Sequence, residues 1–86
     1  MKTIGILGST GSIGVQTLQV IDTFPGEYNI KYITANKNVK QLEKQALRYN
    51  PDTVCIVQEN FSEELEVLLK NTDITITSGR NALLEL

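Results

Sequence analysis

The sequence contains no histidine and only one cysteine, Cys55, among its 86 residues. Without histidine, the chain cannot supply histidine-based acid–base catalysis or a histidine metal site. A lone cysteine cannot form an internal disulfide bond. Because Cys55 lies within the apolar stretch 53–57, we expect it to be a small buried core residue rather than a reactive thiol.

The sequence also lacks an excess of positive charge and a long apolar run. Its formal net charge is −2, and its eight lysine and arginine residues are spread along the chain. This pattern argues against a nucleic-acid interface or a membrane-surface role. No apolar run approaches the about 20 residues that span a bilayer. A strand predicted from residue 3 leaves no room for a signal peptide, so we expect a cytoplasmic protein.

Short apolar runs alternate with stretches of helical spacing. The runs at 3–7, 29–34, 53–57 and 74–77 are typical of strands buried on both faces. Apolar residues recur every three or four positions in 12–24, 39–49 and 61–70, which indicates helices. This alternation predicts an α/β fold, a Rossmann-like parallel sheet with helices on both faces. The candidate helix caps are Asn60 or Ser62 for the third helix and Ser78 for a fourth.

Four strands followed by the start of another helix make an incomplete fold of this class. The strand before a glycine-rich turn normally lies in the middle of such a sheet, so here one of its edges would be bare. The sequence therefore predicts a fragment of a longer protein, or a chain that self-associates.

Three glycines, Gly8, Gly11 and Gly14, recur at every third position between the first strand and the first helix. In dinucleotide-binding folds such glycines permit a tight turn, close approach of phosphates and close packing of helix on strand. Thr10 and Ser12 add hydroxyl groups, and the helix N-terminus favours an anion. The absence of a G-K-[ST] sequence excludes a P-loop. We interpret the turn as a dinucleotide site, the alternative being a purely structural turn.

The end of the second strand bears on the choice of dinucleotide. NAD sites usually place an acidic residue there to bind the adenosine ribose, but this chain has Asn36, Lys37 and Asn38. A lysine flanked by two amides can donate hydrogen bonds to a 2′-phosphate. The sequence therefore favours NADP over NAD, although Lys37 could also be an ordinary solvated lysine.

Four segments together resemble the amino-terminal part of the 1-deoxy-D-xylulose 5-phosphate reductoisomerase family. They are LGSTGSIG at 7–14, TLQVI at 17–21, KNV at 37–39 and SG at 78–79, and the resemblance covers the whole chain. It implies an oxidoreductase that uses NADPH and a divalent metal. The family rearranges and reduces deoxyxylulose phosphate to methylerythritol phosphate, in the non-mevalonate route to isoprenoids.

The resemblance also implies which residues contact the cofactor. One group would line the diphosphate and nicotinamide side, namely Thr10, Gly11, Ser12 and Ile13. A second group would surround the adenosine 2′-phosphate, namely Asn36, Lys37 and Asn38. Asn36 departs from the family, which often has glycine there, but asparagine tolerates left-handed backbone angles better than most residues.

By the same resemblance, residues 1–86 form the amino-terminal part of an NADP-binding Rossmann-like domain. The catalytic and carboxy-terminal domains, with the metal-binding carboxylates and the sugar-phosphate site, would come later in the protein. The chain alone is therefore expected to be inactive, without catalytic or metal-ligating residues of its own. The full enzyme is expected to be a homodimer, and the fragment is expected to self-associate.

Two alternative functions remain open at this point. A short-chain-type NADP-dependent reductase or epimerase would need a Tyr-x-x-x-Lys pair, and none follows Tyr28, Tyr32 or Tyr49. The other alternative is a stand-alone nucleotide-sensing module, in which binding shifts assembly instead of supporting catalysis.

Overall fold

The structure, a computed structural model, describes residues 2–86 and consists of alternating strands and helices. In chain order these elements are β1 (Lys2–Ile6), α1 (Ser12–Asp22), β2 (Tyr28–Ala35), α2 (Val39–Tyr49), β3 (Thr53–Ile56), a 3₁₀ turn (Glu59–Phe61), α3 (Ser62–Leu68), β4 (Thr75–Ser78) and α4 (Arg80–Leu84). The predicted α/β class is confirmed.

The four strands form one parallel sheet in the order β1-β2-β3-β4. Within the described part of the chain, β1 therefore lies at one edge of the sheet and β4 at the other. Parallel strands align their carboxyl ends at the same edge of the sheet, which is where ligands bind in folds of this type. The glycine-rich turn after β1 and segment 36–38 after β2 are consequently neighbours.

The core lies between one face of the sheet and the connecting helices. Because successive strands progress in one direction, right-handed crossovers bring α1, α2 and α3 to the same face. A single buried apolar cluster joins them to the strands and includes Leu18, Leu42 and Leu65 from the helices and Ile33, Val54 and Ile56 from the sheet. Helices α1 to α3 therefore form one layer on one face of the sheet, so these three helices do not cover both faces as predicted, while α4 packs against β4.

The helix caps differ from those that the sequence predicted. The N-cap of α3 is Phe61, and no side chain makes a capping hydrogen bond there. The N-cap of α4 is Gly79, whereas Ser78 is the last residue of β4. The predicted capping roles of Asn60, Ser62 and Ser78 are therefore wrong, because β4 continues through Ser78 and a 3₁₀ turn that the apolar pattern did not predict precedes α3.

Helices α1 and α2 are joined at their carboxyl ends by a polar cluster. The Tyr49 hydroxyl donates a hydrogen bond to Asp22 Oδ2 at 2.9 Å, and Arg48 forms an ion pair with the same oxygen at 3.1 Å. Burial raises the pKa of Tyr49, and its hydrogen bond to Asp22 acts in the same direction. This cluster joins the two helices at the end that lies away from the glycine-rich turn.

Cys55 is fully buried in β3, as predicted. Among residues 2–86, no helix has both the length and the apolar character needed to cross a membrane.

Candidate functional site

The glycine-rich turn requires glycine at two positions for reasons internal to the fold. Gly8 has φ +67°, a left-handed conformation that L side chains rarely adopt. Gly14, in the first turn of α1, lies against the preceding loop: a Cβ atom on it would meet the Gly8 carbonyl oxygen and would lie 2.6 Å from Ser9 Cα. The turn therefore bends sharply after β1 and brings α1 directly onto the loop.

Gly11 is different, because nothing within the described structure demands a glycine there. It is exposed, its φ is −77°, and a Cβ atom on it would find the Gly8 carbonyl oxygen at 3.4 Å as its only neighbour. Gly11 is also the N-cap of α1 and supplies no side-chain cap. The surface at Gly11 is therefore open to an approaching group.

The first turn of α1 is suited to an anion. The first N–H groups of a helix have no partner inside it, and α1 has neither a capping side chain nor an acidic residue in its first turn. These groups and the helix dipole both favour negative charge. Ser12 and Ile13 are exposed in this turn, and Thr10 is half-buried beside it. The structure thus brings together the four residues predicted to line the diphosphate and nicotinamide.

The second predicted group lies in the loop between β2 and α2. Asn36, Lys37 and Asn38 are all exposed. The Asn38 side-chain oxygen caps α2 by accepting a hydrogen bond from the Gln41 N–H at 3.2 Å, which leaves the Asn38 amide NH₂ as a donor. Asn36 does not adopt a left-handed backbone conformation, since Asn50 is the only non-glycine residue within 2–86 with positive φ.

A buried hydrogen-bond network that the sequence did not predict links the glycine-rich turn to the end of β2 and to α2. The Gly8 N–H donates to Thr34 Oγ1 at 2.8 Å, and the Ser9 N–H donates to the Thr34 carbonyl at 2.8 Å. From α2, Gln45 Nε2 donates to the Ser9 carbonyl at 2.8 Å. Gln45 Oε1 accepts from the Ser9 hydroxyl at 2.7 Å. A polar residue on the apolar face of α2, beside Leu42 and Ala46, was the signal that could have revealed it.

A cleft of about 470 Å³ lies between α1 and α2 rather than at the glycine-rich turn. Its basic rim is formed by Lys40, Lys44 and Arg48, and Asn38 is the one predicted site residue among its lining residues. The cleft is therefore separate from the turn at residues 8–13.

A family model described as 1-deoxy-D-xylulose 5-phosphate reductoisomerase matches residues 4–86. The chain belongs to this reductoisomerase family. The reductoisomerase of Chloroherpeton thalassium is 46% identical over 86 residues, covering 100% of this chain and 22% of the relative. The reductoisomerase of one Synechococcus strain is 41% identical over 75 residues, covering 87% of this chain and 18% of the relative.

Solved reductoisomerase structures have the same fold. The enzyme from Zymomonas mobilis in complex with NADPH superposes with a TM-score of 0.94 at 34% identity, covering 98% of this chain and 22% of that one. A reductoisomerase in complex with NADPH, fosmidomycin and magnesium gives a TM-score of 0.92 at 32% identity, covering 99% of this chain and 21% of that one. The chain thus spans about a fifth of the length of the reductoisomerases that it matches.

The family assignment supports the reductoisomerase hypothesis over the short-chain-type reductase. It also confirms the Rossmann-like class of the fold. Within residues 2–86, no group of three or more cysteine, aspartate or glutamate side chains is arranged to hold a metal ion.

Proposed function

We propose that this chain binds NADPH as the amino-terminal part of the cofactor domain of a 1-deoxy-D-xylulose 5-phosphate reductoisomerase. The observation that carries the proposal is the contrast among the three glycines. The fold itself requires Gly8 and Gly14, whereas Gly11 lies open at an uncapped helix N-terminus. A ligand phosphate that approaches the backbone is the physical reason for a glycine at such a position.

The diphosphate would lie at the amino end of α1. There Thr10, Gly11 and Ser12 offer backbone N–H groups and two hydroxyls. Ile13, a residue that is 78% exposed, offers an apolar surface toward the nicotinamide. A reductoisomerase solved with NADPH superposes on 98% of this chain, which supports this placement. NADPH supplies a hydride when it is bound, and these residues would bind and orient the cofactor.

The 2′-phosphate would lie at the end of β2. Lys37 supplies a positive charge there and Asn38 a free amide donor, while no acidic residue occurs between Thr34 and Glu43. Because a carboxylate would repel the phosphate and a lysine attracts it, this loop favours NADPH over NADH. Asn36, exposed beside Lys37, would face the adenosine.

The whole protein would rearrange and reduce deoxyxylulose 5-phosphate to methylerythritol 4-phosphate, with a divalent metal bound by residues outside this chain. A relative solved with magnesium and fosmidomycin supports that part. We further infer that residues 1–86 are one part of the NADP-binding domain. Homodimerisation of the enzyme and its cytoplasmic location stay predictions.

Titration calorimetry with NADPH and NADH tests the cofactor assignment. We expect NADPH to bind more tightly than NADH, and Lys37→Glu to remove most of this difference. Lys70→Glu is the matched control, because it makes the same charge change at an exposed lysine outside the proposed site. Equal affinity for the two cofactors in a folded sample, or a wild-type preference in Lys37→Glu, would contradict the assignment.

A further inference from the structure

All three buried polar residues of the described chain belong to one network. Ser9 is fully buried, Thr34 is 3% exposed and Gln45 is 8% exposed, and each is hydrogen-bonded to another member. No buried side-chain nitrogen or oxygen within residues 2–86 lacks a partner. Buried polar groups contribute little net stability even when satisfied, but they specify one geometry. The network therefore points to a geometric requirement at Ser9.

Gln45 contacts Ser9 with both ends of its amide. Its Nε2 donates to the Ser9 carbonyl and its Oε1 accepts from the Ser9 hydroxyl, while the Ser9 N–H is bonded to the Thr34 carbonyl of β2. The backbone of Ser9 is thus held from two sides, between Gly8 and Thr10. A purely apolar core would have been completed by leucine or methionine at position 45, since Leu42 and Ala46 on the same face are fully buried.

The held segment is the one that leads into the proposed diphosphate site. The Gly11 N–H donates to the Gly8 carbonyl at 3.0 Å, so a shift at Ser9 moves both ends of the turn that precedes α1. Helix α2 also begins directly after Lys37 and Asn38. The same helix therefore carries the proposed 2′-phosphate loop at its start and holds the diphosphate turn through Gln45.

We propose that Gln45 is a positioning residue that sets the diphosphate-binding turn against the 2′-phosphate loop. The proposal rests on the proposed cofactor site for what the turn is positioned to bind. Gln45 acts through Ser9 and does not touch the cofactor. Loss of the Gln45 amide should therefore weaken the binding of NADPH and of NADH equally, because both carry the diphosphate. The preference between the two cofactors should stay unchanged.

Gln45→Met is the first test, because methionine keeps the length of the side chain and removes both hydrogen bonds. We expect the folded variant to bind both cofactors about tenfold more weakly, because the buried Ser9 carbonyl is left unpaired. The ratio of its affinities for NADPH and NADH should equal that of the wild type. Gln19→Met, at an exposed glutamine of α1, is the control and should bind as the wild type does. Wild-type affinity in folded Gln45→Met would overturn the proposal.

Gln45→Glu separates positioning from a general loss of stability. A protonated carboxyl can donate to the Ser9 carbonyl and accept from the Ser9 hydroxyl, whereas a carboxylate cannot donate. Burial raises the pKa of such a glutamate above about 4.3. The affinity of the variant relative to wild type should therefore recover as the pH falls. A pH-independent affinity ratio in folded Gln45→Glu would count against positioning.

Amide hydrogen exchange tests the same proposal without any cofactor. Gln45→Met should lose protection at the hydrogen-bonded N–H groups of Ser9 and Gly11, while amides in the middle of α1 stay protected. Unchanged exchange at both residues would reject a positioning role. If the wild type binds neither cofactor, the proposed function fails, and exchange alone then decides whether Gln45 positions the turn.

Discussion

The carbonyl oxygen of Gly8 occupies the space in which a Cβ atom of Gly14 would lie. This contact brings the first turn of α1 onto the loop that leaves β1, so that the helix begins where the strand ends. The two glycines at the start of α1 therefore differ. Gly14 is required for the packing of the helix on the loop, whereas Gly11 is exposed at the helix N-terminus.

Gly14→Ala should destabilise the fold. The added methyl group would overlap backbone atoms of Gly8 and Ser9, which cannot move aside as a flexible side chain could. We expect a loss of about 1–3 kcal/mol in the free energy of unfolding, typical of overpacking, despite the better helix propensity of alanine. Urea denaturation followed by circular dichroism measures it, and wild-type stability would show that the loop yields.

Gly11→Ala should leave the stability of the fold unchanged and weaken cofactor binding. Alanine tolerates the backbone angles of this residue, and its methyl group would meet only ordinary contact, so the free energy of unfolding should stay within about 0.5 kcal/mol of wild type. The methyl group would, however, stand where the diphosphate approaches. NADPH affinity, measured by titration calorimetry, should therefore fall strongly. Undiminished binding would place the diphosphate elsewhere.

Substitutions of Asn38 should separate its capping role from its proposed cofactor role. Asn38→Ala removes the cap of α2 and should cost about 1 kcal/mol. Asn38→Asp keeps a capping oxygen and so should retain stability, but its negative charge would repel a 2′-phosphate. Calorimetry should then show a reduced preference for NADPH over NADH in Asn38→Asp. A retained preference would remove Asn38 from the phosphate site.

The contact between Tyr49 and Asp22 predicts a loss of stability in alkali. The pKa of Tyr49 is raised above 10.0 in the folded chain, so the fold favours the neutral phenol. The stabilisation is therefore fully present below the unfolded pKa and is lost as pH rises through the folded pKa. The stability advantage of wild type over Tyr49→Phe should shrink above about pH 10. Urea denaturation of both proteins across this range measures it, and a constant difference would contradict the linkage.

The edge position of β1 predicts self-association of the isolated chain. Its hydrogen-bonded neighbour within residues 2–86 is β2 alone, and an unpaired strand edge is a template for another strand. Light scattering should show a mass that rises with concentration, reduced by Thr3→Lys. The same change at exposed Thr75 tests the other edge strand, β4, whose hydrogen-bonded neighbour within residues 2–86 is β3 alone. A concentration-independent monomer would contradict this prediction.

Much of the fold could be predicted from the sequence because its elements are defined by local periodicity. Helix α2 begins and ends at Val39 and Tyr49 as predicted, since its apolar face is regular and the Asn50-Pro51 sequence stops it. Helix α3 was less predictable. A 3₁₀ turn precedes it and Phe61 is its N-cap, because several residues there have similar capping propensity and packing makes the choice.

The candidate site divides in the same way. The glycine spacing, the missing acidic residue and Lys37 lie close together in the sequence and could be interpreted without a structure. The Ser9–Gln45 contact joins residues separated by 36 positions, and no local pattern specifies which buried polar residue another will meet.

The sequence by itself determined the order of strands and helices, the presence of a glycine-rich turn and the charge of the loop after β2. Hydrophobic periodicity, backbone freedom at glycine and formal charge are properties of single residues and their near neighbours. Only the tertiary structure decided which glycine serves packing, which lies open, and that Gln45 holds Ser9. Those answers depend on what occupies the space beside each residue, which follows from the parallel sheet and from the packing of α1 and α2 against the glycine-rich turn.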